Sequence, residues 1–82
     1  MNIKFHPHAL ERMNERGATE SEVIEAVLNG ERFPSKHGRY GFRRNYSFND
    51  EWRGRMYGTK QIEVIAVEEN DWLIITVMVK YF

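Results

Sequence analysis

The sequence predicts an α+β domain in which two N-terminal helices pack on one face of an about four-stranded antiparallel sheet. Two helix signals stand in tandem within the first thirty residues, and from Arg39 the apolar residues recur every two positions instead of every 3.6. No helix signal follows that change. Helices followed only by strands are the pattern of helices segregated to one side of an antiparallel sheet.

Pro7 suits the first turn of a helix, where its missing N–H is not needed. That helix should run to about Arg16, with Gly17 as its left-handed stop. Ala9, Leu10 and Met13 share one arc, and His8, Arg12, Glu15 and Arg16 share the neighbouring one. Thr19 and Glu22 have capping-box spacing for a second helix, and Ala18 can staple against Val23. Val23, Ile24, Val27 and Leu28 form its buried stripe, and Gly30 ends it. Residues 31–38 read as a loop punctuated by Pro34, Ser35 and Gly38. In the first strand Tyr40, Phe42, Tyr46 and Phe48 share a face with Arg44, while Arg39, Arg43, Asn45 and Ser47 share the other. Asn49-Asp50 signals a turn, so residues 51–59 should return as a hairpin. Ile62 to Val67 reads as a central strand covered on both faces, Glu69-Asn70-Asp71 as a turn, and Trp72 to Val79 as the last strand. The expected core is Leu10, Met13, Val23, Val27, Ile65, Val67, Ile75 and Val77.

Residues 1–82 are expected to form one small domain. A hydrophobic content of 41% allows a modest core. There is no run of roughly 18 apolar residues to span a membrane. The start lacks a secretory pattern, and the chain has no cysteine, which excludes disulfides and thiolate metal sites. These features fit a cytoplasmic protein. The net charge of zero hides an asymmetry. Residues 32–60 carry eight Lys and Arg against Asp50 and Glu51 alone, and the segments on either side are acidic. The basic segment holds Arg39, Arg43, Arg44, Arg53, Arg55 and Lys60, interleaved with Tyr40, Phe42, Tyr46, Phe48, Trp52 and Tyr57. Arginine forks match phosphate oxygens and stack on bases, so these six cations are the candidate RNA-binding residues. The alternative is a solvated strand face balanced by acidic helices.

The stretch from His8 to Val23, HALERMNERGATESEV, resembles the opening motif of the bacterial domain of unknown function family 4258. His8, Arg12, Met13, Arg16, Gly17 and Val23 fall in its register, and Leu73 to Val79 resembles its closing strand. Ala18 stands where that motif usually has Ile or Val, and Met78 where it has an aromatic residue. The family is in turn similar to the BrnT and RelE toxin ribonucleases of the barnase–EndoU–colicin–RelE fold. That resemblance implies a toxin that cleaves RNA without a metal or other cofactor, and a separate cognate antitoxin as its partner.

Metal-free cleavage by the ribose 2′-OH needs a base, an acid and cations for the phosphorane charge. His8 is the candidate proton carrier, because histidine ordinarily titrates near neutrality. Arg12 and Arg16 are candidate phosphate contacts, and Thr76 is a candidate phosphate donor or orienting group on the closing strand. The plainer readings are an exposed histidine at a helix start, surface ion pairs to Glu15 or Glu20 worth roughly 0.3–0.5 kcal/mol each, and a β-forming threonine. The His6-Pro7-His8 pair invites a metal, but two side chains diverging at a helix start, with no carboxylate or cysteine to complete a ligand spacing, argue against one. His37 lies in a basic loop. Three functional classes follow: a metal-independent endoribonuclease, a non-catalytic nucleic-acid-binding or regulatory module, and a protein-interaction domain.

Overall fold

The computed structural model describes residues 2–82. The chain enters through a three-residue strand, β1 (Ile3–Phe5). Helix α1 (Pro7–Arg16) follows at once, with Pro7 in its first turn. Its N-cap is His6, whose Nδ1 accepts the His8 N–H at 3.1 Å. Gly17, at φ 79°, stops α1 by donating its N–H to Met13 O. Only Ala18 separates that stop from Thr19, the N-cap of α2 (Glu20–Asn29). The capping box forms in both directions, with Glu22 N–H given to Thr19 Oγ1 and Thr19 N–H to Glu22 Oε1.

Four strands complete a five-stranded sheet: β2 (Glu31–Pro34), β3 (Tyr40–Trp52), β4 (Arg55–Glu69) and β5 (Asp71–Tyr81), in the order β1-β5-β4-β3-β2. The sheet is mixed, because β1 runs parallel to β5. This corrects the four-stranded antiparallel expectation. β1 is too short to show a period, and Pro34 disguised β2 as a loop. Pro34 is tolerated because β2 lies at the sheet edge, where proline's missing N–H costs least. Only Lys36–Gly38 of the expected loop is helical, a single 3-10 turn with His37 at φ 60°.

Two bulges shape the sheet. On β3, Phe48 and Asn49 oppose Gly58 alone, because Ser47 pairs with Thr59 and Asp50 with Tyr57. Asn49 takes a left-handed φ of 46° there, so the Asn49-Asp50 signal marks a bulge and not the expected turn. The hairpin turns instead at Arg53 and Gly54, both at positive φ as a tight two-residue loop requires. On β5, Ile75 is the extra residue, since Ile65 pairs with Thr76 but Ala66 pairs with Ile74. The bulge shifts the alternation by one, so that Trp72, Ile74 and then Val77 all face the helices.

One core lies between the two helices and one sheet face, with Met13, Val23 and Val27 set against Phe42, Ile62, Val64, Ile74 and Val77. Each fully buried aliphatic side chain contributes about 1.5–3 kcal/mol relative to exposure. The expected core was half right. Leu10 is 42% exposed, and Ile65, Val67 and Ile75 are half-buried on the opposite face, which no element among the described residues covers.

Candidate nucleic-acid interface

The last three carbonyls of α1 and its stop are met by donors from the far end of the sheet. Arg53 Nη2 donates to Glu15 O at 2.8 Å, Tyr81 Oη donates to Arg16 O at 2.8 Å, and Lys60 Nζ donates to Gly17 O. A helix C-terminus leaves such carbonyls unpaired and carries partial negative charge, so two cations and a phenol are well placed there. Lys60 also meets Glu22 Oε1 at 2.9 Å, the carboxylate that caps α2. Gly17 is pressed between two rings. A Cβ at that position would stand 2.7 Å from both the Trp52 ring and Tyr81 Oη.

These contacts leave a cleft of ≈ 170 Å³ lined by Arg16, Trp52, Arg53, Val79 and Tyr81. Trp52 and Tyr81 stack with centroids 4.8 Å apart and planes 15° from parallel. The Arg53 guanidinium lies 5.0 Å over the Trp52 ring. Arg16 reaches the β5 edge, where Nη1 donates to Val77 O at 2.7 Å. Arg16 and Arg53 each spend one hydrogen bond on a backbone carbonyl, and neither pairs with a carboxylate among the described residues. Burial, and then the Glu22 charge, raise the Tyr81 pKa above its ordinary value, with Arg53 opposing. The hydroxyl is therefore a donor at neutral pH. Two guanidinium forks beside a stacked aromatic pair can take a phosphate and a planar base.

The residues singled out from sequence do not form one pocket. His8 is exposed, its ring edge-on to that of His6 at 5.2 Å. The two rings therefore meet instead of diverging, with His6 serving as a helix cap. Among the described residues no group of three His, Cys, Asp or Glu could hold a metal. Arg12, 46% exposed, pairs with Glu15 at 3.2 Å. Arg16 turns inward. Eight residues of helix place its Cα about 12 Å along the axis from that of His8. Thr76 pairs with Ile65 on the sheet face away from the helices. The first helix and the closing strand do meet, but through Arg16 and Val77.

The six basic candidates divide as well. Lys60 is 7% exposed and works inside the fold. Arg43 gives Nε and Nη2 to Glu63 Oε1 at 3.1 and 2.7 Å, with Glu31 at 3.6 Å. Arg44 Nε lies 2.9 Å from Glu25 Oε1, off hydrogen-bond alignment, so the contact is one of charge. Arg39, Arg53 and Arg55 are exposed and form no ion pair among the described residues. Val79 carried no signal of the site in the sequence; Trp52 was read there only as an aromatic of the basic segment, and Tyr81 as one of four tyrosines able to stack on a base or donate a proton but more in keeping with sheet packing. The Arg53-Gly54 turn, which places Trp52, was the one available signal.

Residues 5–79 match the family model described as a domain of unknown function, DUF4258. No curated protein and no solved structure matches the chain. The match takes in both helices, strands β2 to β4 and β5 up to Val79, and so the chain belongs to the DUF4258 family.

Proposed function

We propose that this domain binds single-stranded RNA, with the sugar-phosphate chain entering at the cleft between the α1 C-terminus and the β5 edge. The observation that carries the reading is the pair of guanidiniums, Arg16 and Arg53, beside the stacked rings of Trp52 and Tyr81. Arginine forks suit phosphate oxygens, and aromatic faces hold bases without regard to sequence. The resemblance to the BrnT and RelE toxins supports an RNA ligand, and with it an antitoxin that covers this end of the molecule.

A second reading adds cleavage. His8 and Arg12 lie one helical turn apart and both face solvent, so an RNA running along α1 from the cleft would meet them. In that reading His8 moves the proton and the arginines hold phosphates, with no metal required. One assay addresses both readings. Purified chain is titrated into labelled single-stranded RNA in excess EDTA, and the RNA is then analysed for 2′,3′-cyclic phosphate ends. Cleavage that His8→Ala slows by roughly 10²–10⁴-fold establishes the second reading. RNA bound but intact, including on translating ribosomes, leaves binding alone. RNA neither bound nor cut overturns both.

A further inference from the structure

The β5 edge is only partly used. β1 pairs with Trp72, Leu73 and Ile74, and the His6 N–H makes the last backbone bond on that side, to Ile74 O at 2.9 Å. The chain then leaves the sheet at Pro7 to begin α1. Beyond the Ile75 bulge, β5 has β4 on one side and no strand on the other among the described residues. The direction of its backbone groups follows from its end. Phe82 exchanges both backbone hydrogen bonds with Thr59 of β4, N to O at 3.0 Å and O from N at 2.7 Å. Antiparallel pairs alternate, so Lys80 and Met78 also face β4, whereas Tyr81, Val79 and Val77 turn their N–H and C=O groups outward. The Arg16 bond to Val77 O confirms that direction. Val79, whose outward groups have no partner among the described residues, lines the cleft.

We infer that this edge is a strand-addition site, and that its occupant is an extended acidic segment of a partner protein. Backbone pairing to Val79 and Tyr81 would supply the register, as when peptides add to exposed sheet edges elsewhere. Charge selects the occupant. Arg16 and Arg53 flank the edge in the cleft, and exposed Lys80 projects from the other face of the same strand. A second copy of this chain paired edge to edge about Val79 would bring these cations against their own counterparts, which disfavours self-association there. A strand bearing glutamates at alternate positions, all turned to the helix face, meets Arg16 and Arg53 with opposite charge. Such a segment would also cover the cleft assigned above to RNA, but its binding does not depend on that assignment.

The test uses the full chain and a soluble probe, an acetylated and amidated heptapeptide of alternating glutamate and valine or threonine. A second version is N-methylated at every internal amide, which keeps the charges and removes the backbone donors of both edges. The site predicts that the first peptide binds and that N-methylation weakens it roughly tenfold or more, since the hydrogen bonds to Val79 O and Tyr81 O are lost. On binding, amide exchange should slow at Val79 and Tyr81 and stay unchanged at Met78 and Lys80. Equal binding of the two peptides would reduce the interaction to charge and overturn strand addition, as would no binding of either or protection elsewhere. RNA titrations on the same preparation are read separately. Peptide bound without RNA defeats only the RNA reading, and RNA bound without peptide defeats only this one.

Discussion

At the scale of single residues, Lys60 shows how a charge read as a ligand contact serves the fold. Its ammonium joins the end of α1, through Gly17 O, to the start of α2, through Glu22. Lys60→Met fills similar space but takes the ammonium from Gly17 O and from the half-buried Glu22 carboxylate, which keeps only its Thr19 donors. Urea unfolding should show a loss of about 2–3 kcal/mol, the cost of unpairing buried polar groups. RNA affinity, measured where the variant is folded, should not change, and an affinity loss without a stability loss would return Lys60 to the interface. Tyr81 and Tyr46 give a pH signature. Burial raises both pKa values above 10, and for Tyr46 the Glu25 charge adds to it. Because the folded-state values lie above the unfolded one, the unfolded chain loses these protons first as pH rises. Their contribution is complete below about pH 10 and is lost as pH climbs through the folded-state values. Unfolding midpoints should therefore drop as pH rises above about 10, the value of a free tyrosine, and less steeply in a Tyr46→Phe, Tyr81→Phe variant. An unchanged slope would show that other groups carry the alkaline loss.

At the scale of elements, the helices were legible and the sheet only in part. Helix caps are local chemistry. Pro7, Gly17, the Thr19–Glu22 box and Gly30 mark their ends within a few residues, and the structure uses all of them. Thr19→Ala should accordingly cost about 1 kcal/mol in thermal or urea melts, the usual worth of an N-cap. No measurable loss would mean that the Lys60 contacts alone fix the junction. Strands are fixed by partners distant in sequence. The three residues of β1 and four of β2 offer no period to read, and each exists because a neighbouring strand holds it. The bulges were equally hidden. Without the extra residue at Ile75, Thr76 would follow Trp72 and Ile74 onto the helix face, and the bulge gives that place to Val77. Asn49 in a left-handed conformation looks the same in sequence whether it bends a strand or reverses one.

At the scale of the whole molecule, the candidate site is a product of that bending. Arg16 could be marked on a helix face from sequence, but its neighbours come from residues 52–53 and 79–81. The β3–β4 hairpin must run past the Asn49 bulge before Trp52 can lie on Tyr81 and Arg53 can reach Glu15 O. The charge pattern therefore pointed to a basic surface but not to its location, since Arg43, Arg44 and Lys60 are occupied by Glu63, Glu25 and Glu22. No helix among the described residues is long and apolar enough to cross a membrane. Whether RNA is held at the Arg16–Arg53 cleft is read from the salt dependence of RNA binding. Wild-type chain, Arg53→Ala and Lys36→Ala are compared by fluorescence anisotropy over a range of salt concentrations. Lys36 is an exposed cation at the opposite end of the sheet, so it controls for net charge. Arg53→Ala should weaken binding and lower the log–log salt slope by about 0.7, one phosphate contact on a single strand, while Lys36→Ala leaves the slope unchanged. Equal effects of the two substitutions, or RNA binding unaltered by Arg53→Ala, would contradict binding at that cleft.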